Sequence, residues 1–135
     1  ANLVNTFFNG EVSKFTVRTY FVATGAGGRP SLWRIEDNGA PQEVVEGIDN
    51  LQVLYAIDTD NNFQAESYVA ANAVSDWDDV VAVRVSVLAS SLSNNATDAD
   101  NVQSVTFDGR DANPDDDRRL RQAFTTTVAL RSRVP

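Results

Sequence analysis

Val80-Val81-Ala82-Val83-Arg84-Val85-Ser86-Val87-Leu88-Ala89 is the stretch that decides the fold class. Branched apolar residues recur at every second position, so Val81, Val83, Val85 and Val87 share one side of an extended chain while Arg84 and Ser86 project from the other. The expectation is a strand whose valine face belongs to the core. Just before it, Asn72 to Asp79 reads as a short helix or turn, with small residues ahead of Trp77. Further upstream, Phe15-Thr16-Val17-Arg18-Thr19-Tyr20-Phe21-Val22 crowds β-branched and aromatic residues into a second strand that ends at Gly25, Gly27, Gly28 and Pro30. Strands at Ser31 to Glu36 and Leu51 to Ile57 follow, with Asp37-Asn38-Gly39 supplying turn chemistry between them, and the three together suggest a meander.

Downstream of the valine strand, Leu92 to Asn101 is rich in Ser, Asn, Asp and Ala and has little to bury, which predicts an exposed loop. Val102 to Phe107 is a further strand candidate. Pro114-Asp115-Asp116-Asp117 marks a turn before Arg118-Arg119-Leu120-Arg121, and Phe124 to Leu130 alternates as a closing strand. No internal repeat or linker interrupts the chain. The prediction is one domain over residues 1–135, mainly β and mostly antiparallel, with one or two short helical turns.

Composition narrows the function. The 135 residues are 42% hydrophobic, enough for a core, and carry a net charge of −8 from 19 acidic and 11 basic side chains. An acidic surface repels phosphates at long range, so no nucleic-acid partner is expected. Only Lys14 is a lysine, and no basic run marks a membrane surface. No stretch reaches the roughly 18–20 apolar residues of a membrane span, and no signal segment is present. With no Met, the expectation is a processed form or a fragment of a longer product; with no Cys, neither a disulfide framework nor a thiolate metal site is available.

Three stretches go beyond composition. Val45-Glu46-Gly47-Ile48-Asp49-Asn50-Leu51-Gln52-Val53-Leu54-Tyr55 with Asp58-Thr59-Asp60 resembles the V-E-G-I-E-N-L-Q-V-L-Y-G-V-D-T-D segment of PilW-type minor pilins. Trp77 followed by Val80-Val81-Ala82-Val83-Arg84-Val85-Ser86-Val87-Leu88 is similar to the family's W-x-x-V-V-A-V-R-I-S-L-L. Arg118-Arg119-Leu120-Arg121 running into Phe124-Thr125-Thr126-Thr127-Val128-Ala129-Leu130-Arg131 looks like its R-L-R-x-x-F-T-T-T-V-A-L-R-N-R ending. Order and spacing match over roughly residues 30–135.

The resemblance implies a pilin-like globular domain, α+β if an N-terminal helix absent from this chain is counted. In such proteins a leader is cleaved by a prepilin peptidase, and a long apolar helix anchors the subunit in the inner membrane and then packs into the filament core. It further implies an extracytoplasmic place at the cell surface pilus or in the periplasm, with other pilins or minor pilins as partners. The expected role is support of filament initiation or assembly, with adhesion and twitching motility depending on it. This chain departs from the family by being short ahead of the Phe15 strand, and it lacks the disulfide with which many pilins close a C-terminal loop.

Candidate sites are few. Asp58, Asp60, Asn62, Gln64 and Glu66 place oxygens at alternate positions, as calcium loops do, because a hard cation wants six to eight oxygens from a chain that curls around it. Phe63 stands where an EF-hand loop has Gly, and Val69 where it has a bidentate Glu. Asn61-Asn62 can take the left-handed backbone that such curling needs. The plainer reading is a polar hairpin turn. Asp76, Asp78 and Asp79 around Trp77 can be drawn as a carbohydrate site, and the plainer reading there is a solvated turn with Trp77 against the core. Asp115-Asp116-Asp117 beside Arg118-Arg119 reads as a charge-compensated turn.

No His or Cys is present for base or nucleophile work, and no G-x-S-x-G elbow or phosphate loop occurs; Gly25-Ala26-Gly27-Gly28 does not fit dinucleotide spacing and reads as a hairpin turn. The chain is therefore expected to be a structural subunit rather than an enzyme. A calcium-dependent or carbohydrate-binding adhesion module, and a J-type type II secretion pseudopilin, remain as alternatives.

Overall fold

The computed structural model describes residues 13–97, 103, 105–112 and 118–130. Three strands, β1 (Arg18–Thr24), β2 (Pro30–Glu36) and β3 (Gln42–Glu46), form an antiparallel sheet in that order. β1 turns into β2 through the predicted glycine segment, where Gly25 N–H donates to Arg29 C=O at 2.7 Å. The turn after β2 uses Asp37 at φ 51, which Asp tolerates better than most residues. Asp37 Oδ1 also accepts the Val17 N–H at 2.9 Å, which ties the approach to β1 down against this turn.

A second antiparallel sheet has the order β5-β4-β6-β9, built from β4 (Ile48–Ile57), β5 (Ser67–Val69), β6 (Val80–Ser90) and β9 (Arg121–Ala129). A small hairpin of β7 (Thr106–Phe107) and β8 (Arg110–Asp111) turns through Asp108 and Gly109, both at positive φ as its tight turn requires. Among the described residues one 3-10 turn, Ala71–Ala73, overlaps the start of the Asn72 to Asp79 segment expected to be a short helix or turn. The architecture is mainly β and antiparallel, as the alternation predicts.

Gly47 joins the two sheets. Its N–H donates to Pro30 C=O at 2.9 Å and its C=O accepts from Ser90 N–H at 2.8 Å, so one peptide is stitched to both. It sits at φ +83, and a Cβ there would stand 2.7 Å from Ser90 C=O, so only glycine fits without strain.

Several expectations change in detail. The third strand of the meander is β3, whereas the Leu51 strand starts at Ile48 and belongs to the second sheet. The first strand begins at Arg18 rather than Phe15, which is 85% exposed. Of the Val102 to Phe107 candidate only Thr106 and Phe107 are strand, with Val102 and Ser104 outside the described residues. The turn at Asp115-Asp116-Asp117 and the loop beyond Thr97 to Asn101 also lie outside them.

The valine face is also a correction. The buried apolar residues are Ala56, Ile57, Val80, Val81, Leu88 and Phe107, while Val83, Val85 and Val87 are half-buried. Val81 is the extra residue of a bulge, because Ile57 pairs with Val80 and Ala56 with Ala82. Alternation identifies which residues share a side; it does not supply a layer to cover them.

Candidate functional site

The acidic loop follows β4. Asp58 is 2% exposed, and its N–H donates to Asp79 C=O at 2.9 Å, so it is fixed between the ends of β4 and β6. Its carboxylate draws the chain back over itself, accepting Asn62 N–H on Oδ1 at 3.2 Å and Phe63 N–H on Oδ2 at 2.7 Å. Asn61 and Phe63 take positive φ of 58 and 65 to make this possible. Phe63 thus adopts the left-handed conformation for which a calcium loop uses glycine. Asp60 accepts both the N–H and the side-chain Nδ2 of Asn62, at 3.2 and 3.0 Å, and Glu66 accepts the Thr59 N–H at 2.8 Å.

Of the five candidate ligands, Asp58, Asp60 and Glu66 converge, with one carboxylate oxygen of each within 4.8 Å of the others. Asn62 Oδ1 accepts the Gln64 N–H at 2.7 Å. Trp77 packs edge-on against Tyr55, with ring centroids 4.9 Å apart, and stays 52% exposed. Asp76 Oδ1 accepts the Asp78 N–H at 2.9 Å.

A larger feature is the four-stranded sheet itself, whose two faces differ in kind. Register places Leu51, Val53 and Tyr55 of β4 beside Val87, Val85 and Val83 of β6, which in turn lie beside Phe124, Thr126 and Val128 of β9. Eight of these nine side chains are apolar or aromatic. All six from β4 and β6 are only half-buried, and Phe124 and Val128 are 53% and 57% exposed. A contiguous apolar surface across three strands is unusual for a free-standing soluble domain and marks an interaction site.

The opposite face is mixed, with Leu54, Ala56, Ala82 and Leu88 beside Gln52, Arg84, Ser86, Thr125 and Thr127. Ser86 and Thr125 share a hydroxyl–hydroxyl hydrogen bond at 3.0 Å, and the Arg84 guanidinium lies 3.4 Å over the Tyr68 ring. Towards the Gly47 end, the β7–β8 hairpin covers this face and brings Phe107 to 6% exposure. A cleft of about 530 Å³ remains there, lined among others by Gln52, Phe107, Arg110 and Arg119. Its floor is a buried ion pair, Arg121 Nε to Asp49 Oδ2 at 2.7 Å, with Ser90 Oγ donating to the other Asp49 oxygen at 2.8 Å. Asp49 reaches this side because β4 bulges between Ile48 and Asn50. Arg118 and Arg119 bind the 90s loop, through Thr97 C=O at 3.0 Å and Asn94 Oδ1 at 3.0 Å.

On the first sheet, two carboxyls are held below their usual range. Glu36 is lowered by its hydrogen bond and ion pair with Arg18, and Glu43 by hydrogen bonds from Ser31 and from the Ala26 N–H. Both are exposed.

Residues 19–132 match a family model described as Type IV Pilus-assembly protein W. No curated protein matches the chain, and no solved structure does.

Proposed function

The chain belongs to the type IV pilus-assembly protein W family, and on that premise we propose that it is a structural subunit of the filament, a minor pilin, acting through protein–protein packing rather than catalysis. Membership of a pilus-assembly family supports involvement in pilus assembly and an extracytoplasmic or pilus-associated location. The observation that supports the finer role is the uncovered apolar face of the four-stranded sheet. A side chain such as Phe124 or Val128 gains about 1.5–3 kcal/mol when taken fully from water, so a face of this size favours a permanent cover over solvent. The long apolar helix that the sequence resemblance implies is a cover of the right chemistry, and a filament built by packing such helices would hold this domain on its outside.

The test is a deletion strain complemented with variants. Wild type should restore surface pili and twitching. Val53→Asp with Val85→Asp, two charges on the apolar face, should leave them absent. Arg84→Ala on the opposite face should restore them. Normal piliation in the deletion strain would remove the basis for an assembly role, and full rescue by the charged variant would show that the apolar face is not a packing surface.

A further inference from the structure

The cleft between the β7–β8 hairpin and the four-stranded sheet measures about 530 Å³, inside the range of about 300–1,000 Å³ that small-molecule sites occupy. Two of its lining residues, Asn50 and Gln52, stand two positions apart on β4, so both side chains leave the strand on the same side, beside Leu88 and Ser86 of β6. Gln52 Nε2 donates to Asn50 Oδ1 at 3.0 Å. This bond fixes the two amides against each other. It leaves Gln52 Oε1 as an acceptor and Asn50 Nδ2 as a donor, neither with a partner of its own. Neither atom is sealed from water.

The charged groups around the cleft do not call for a charged ligand. Arg121 is bonded to Asp49 through Nε, and on the outer edge of β9 its backbone N–H and C=O meet Oε1 and Nε2 of Gln103, each at 2.7 Å. Arg119 Nε donates to Asn94 Oδ1 at 3.0 Å. At the rim stand Asp108 and Arg110, both exposed, of opposite sign and on either side of Gly109. Leu88 and Phe107 add an apolar part to the wall.

We infer that this cleft is a binding site for a neutral, hydroxyl-rich ligand, one hexopyranose ring of a glycan. Each sugar hydroxyl both donates and accepts, and two on neighbouring carbons present a donor and an acceptor on the same side. That pair matches Asn50 Nδ2 and Gln52 Oε1 on their joined amides. A trans peptide does not make the same match, because its N–H and C=O point in opposite directions. Arg110 donates to hydroxyls further round the ring, Asp108 accepts from them, and the C–H face of the sugar lies on the apolar wall. A charged sugar would need a counter-charge that this balanced lining does not supply. The cleft lies on the face away from Val83, Val85 and Val87, so a cover over the apolar face leaves it open, and the site does not depend on the filament role.

The test is a titration of the isotope-labelled chain with the methyl glycosides of glucose, galactose, mannose and N-acetylglucosamine, followed by backbone amide signals in NMR. At least one glycoside should move the signals of Asn50, Gln52 and Arg110 saturably, with a Kd of about 1 mM, while those of Val85 and Thr126 stay in place. Gln52→Ala and Asn50→Ala should each weaken that binding by about tenfold, the loss of one or two hydrogen bonds, with a thermal melt that stays cooperative. Should either fail to fold, Arg110→Ala at the exposed rim carries the same test with a loss of about threefold. Glucuronate, glucosamine and a blocked tetra-alanine peptide should all bind more weakly than the best glycoside. No movement with any glycoside up to about 10 mM, where such a site would be nearly full, would overturn the sugar site, as would equal binding by the variants. Tighter binding of glucuronate or glucosamine would overturn the neutral ligand, and tighter binding of the peptide would assign the cleft to a peptide instead.

Discussion

Removing Asp49 takes from a buried guanidinium the carboxylate it is bonded to. The Arg121 side chain is 4% exposed and that of Asp49 is 15%, with Nε and Oδ2 2.7 Å apart. A guanidinium cannot shed its proton in any accessible pH range, so Asp49→Ala leaves a full charge without its carboxylate. Breaking a buried pair in this way costs about 3–5 kcal/mol, a large share of the roughly 5–15 kcal/mol that holds a domain together. The assay is urea unfolding followed by the fluorescence of Trp33 and Trp77, on the wild type, Asp49→Ala, Arg121→Met and the double variant. Asp49→Ala should lower the midpoint sharply. The double variant should recover much of the loss, because the buried charge is removed with its carboxylate, giving a coupling of about 2 kcal/mol, within the range for groups in contact. A cost under about 1 kcal/mol for Asp49→Ala, the value of an exposed pair, would show that the pair is hydrated and does not clamp β4 to β9.

Gly47→Ala should destabilise by about 1–3 kcal/mol, the cost of a strained backbone, through its φ of +83 and the contact with Ser90 C=O; a urea midpoint unchanged from wild type would contradict the two-sheet joint. Arg84→Ala loses only its seat over Tyr68, about 0.5–1 kcal/mol, whereas Val85→Asp should cost the isolated domain about 1–3 kcal/mol, less than at a closed core site because Val85 is half-buried. Glu43, lowered by Ser31 and Ala26, stabilises the fold while ionised: its contribution is complete above the ordinary value of 4.5 and is lost as pH falls through the lower folded value. Wild type and Glu43→Gln should therefore differ in melting temperature at neutral pH and converge in acid, and a constant gap would refute the assignment. Asp58→Ala removes the acceptor of the Phe63 N–H and one of the two acceptors of the Asn62 N–H and should cost about 1–3 kcal/mol, with protease cleavage between Thr59 and Glu66 as the readout.

How much of this could be read from residues alone depends on the range of the forces involved. β6 was legible because its period of two persists through ten positions, and the β1–β2 and β2–β3 turns because Gly and Asp declare themselves locally. β3 was not: Gln42-Glu43-Val44-Val45-Glu46 sets two valines side by side with no alternation, and the strand exists through its pairing with β2. The acidic loop was half legible. Alternation brought three carboxylates together, but the second left-handed residue is Phe63 rather than Asn62. Nothing local signals the Asp49–Arg121 pair, whose members lie 72 positions apart, nor Gln103 against the edge of β9. The apolar face was visible as a set of residues, and its lack of cover was not, because exposure is a property of the whole assembly.

Since the chain contains no cysteine, a single Thr126→Cys, in the outer strand of the apolar face beside Val85, becomes a reporter of packing when read by maleimide labelling beside Asn95→Cys in the exposed 90s loop. If the domain is a filament subunit packed through this face, both variants should be found in sheared, purified pili, with Cys at 126 shielded in the filament and labelled in the isolated domain, and Cys at 95 labelled in both. Absence of the protein from purified pili, or equal labelling of the two positions in the filament, would contradict it.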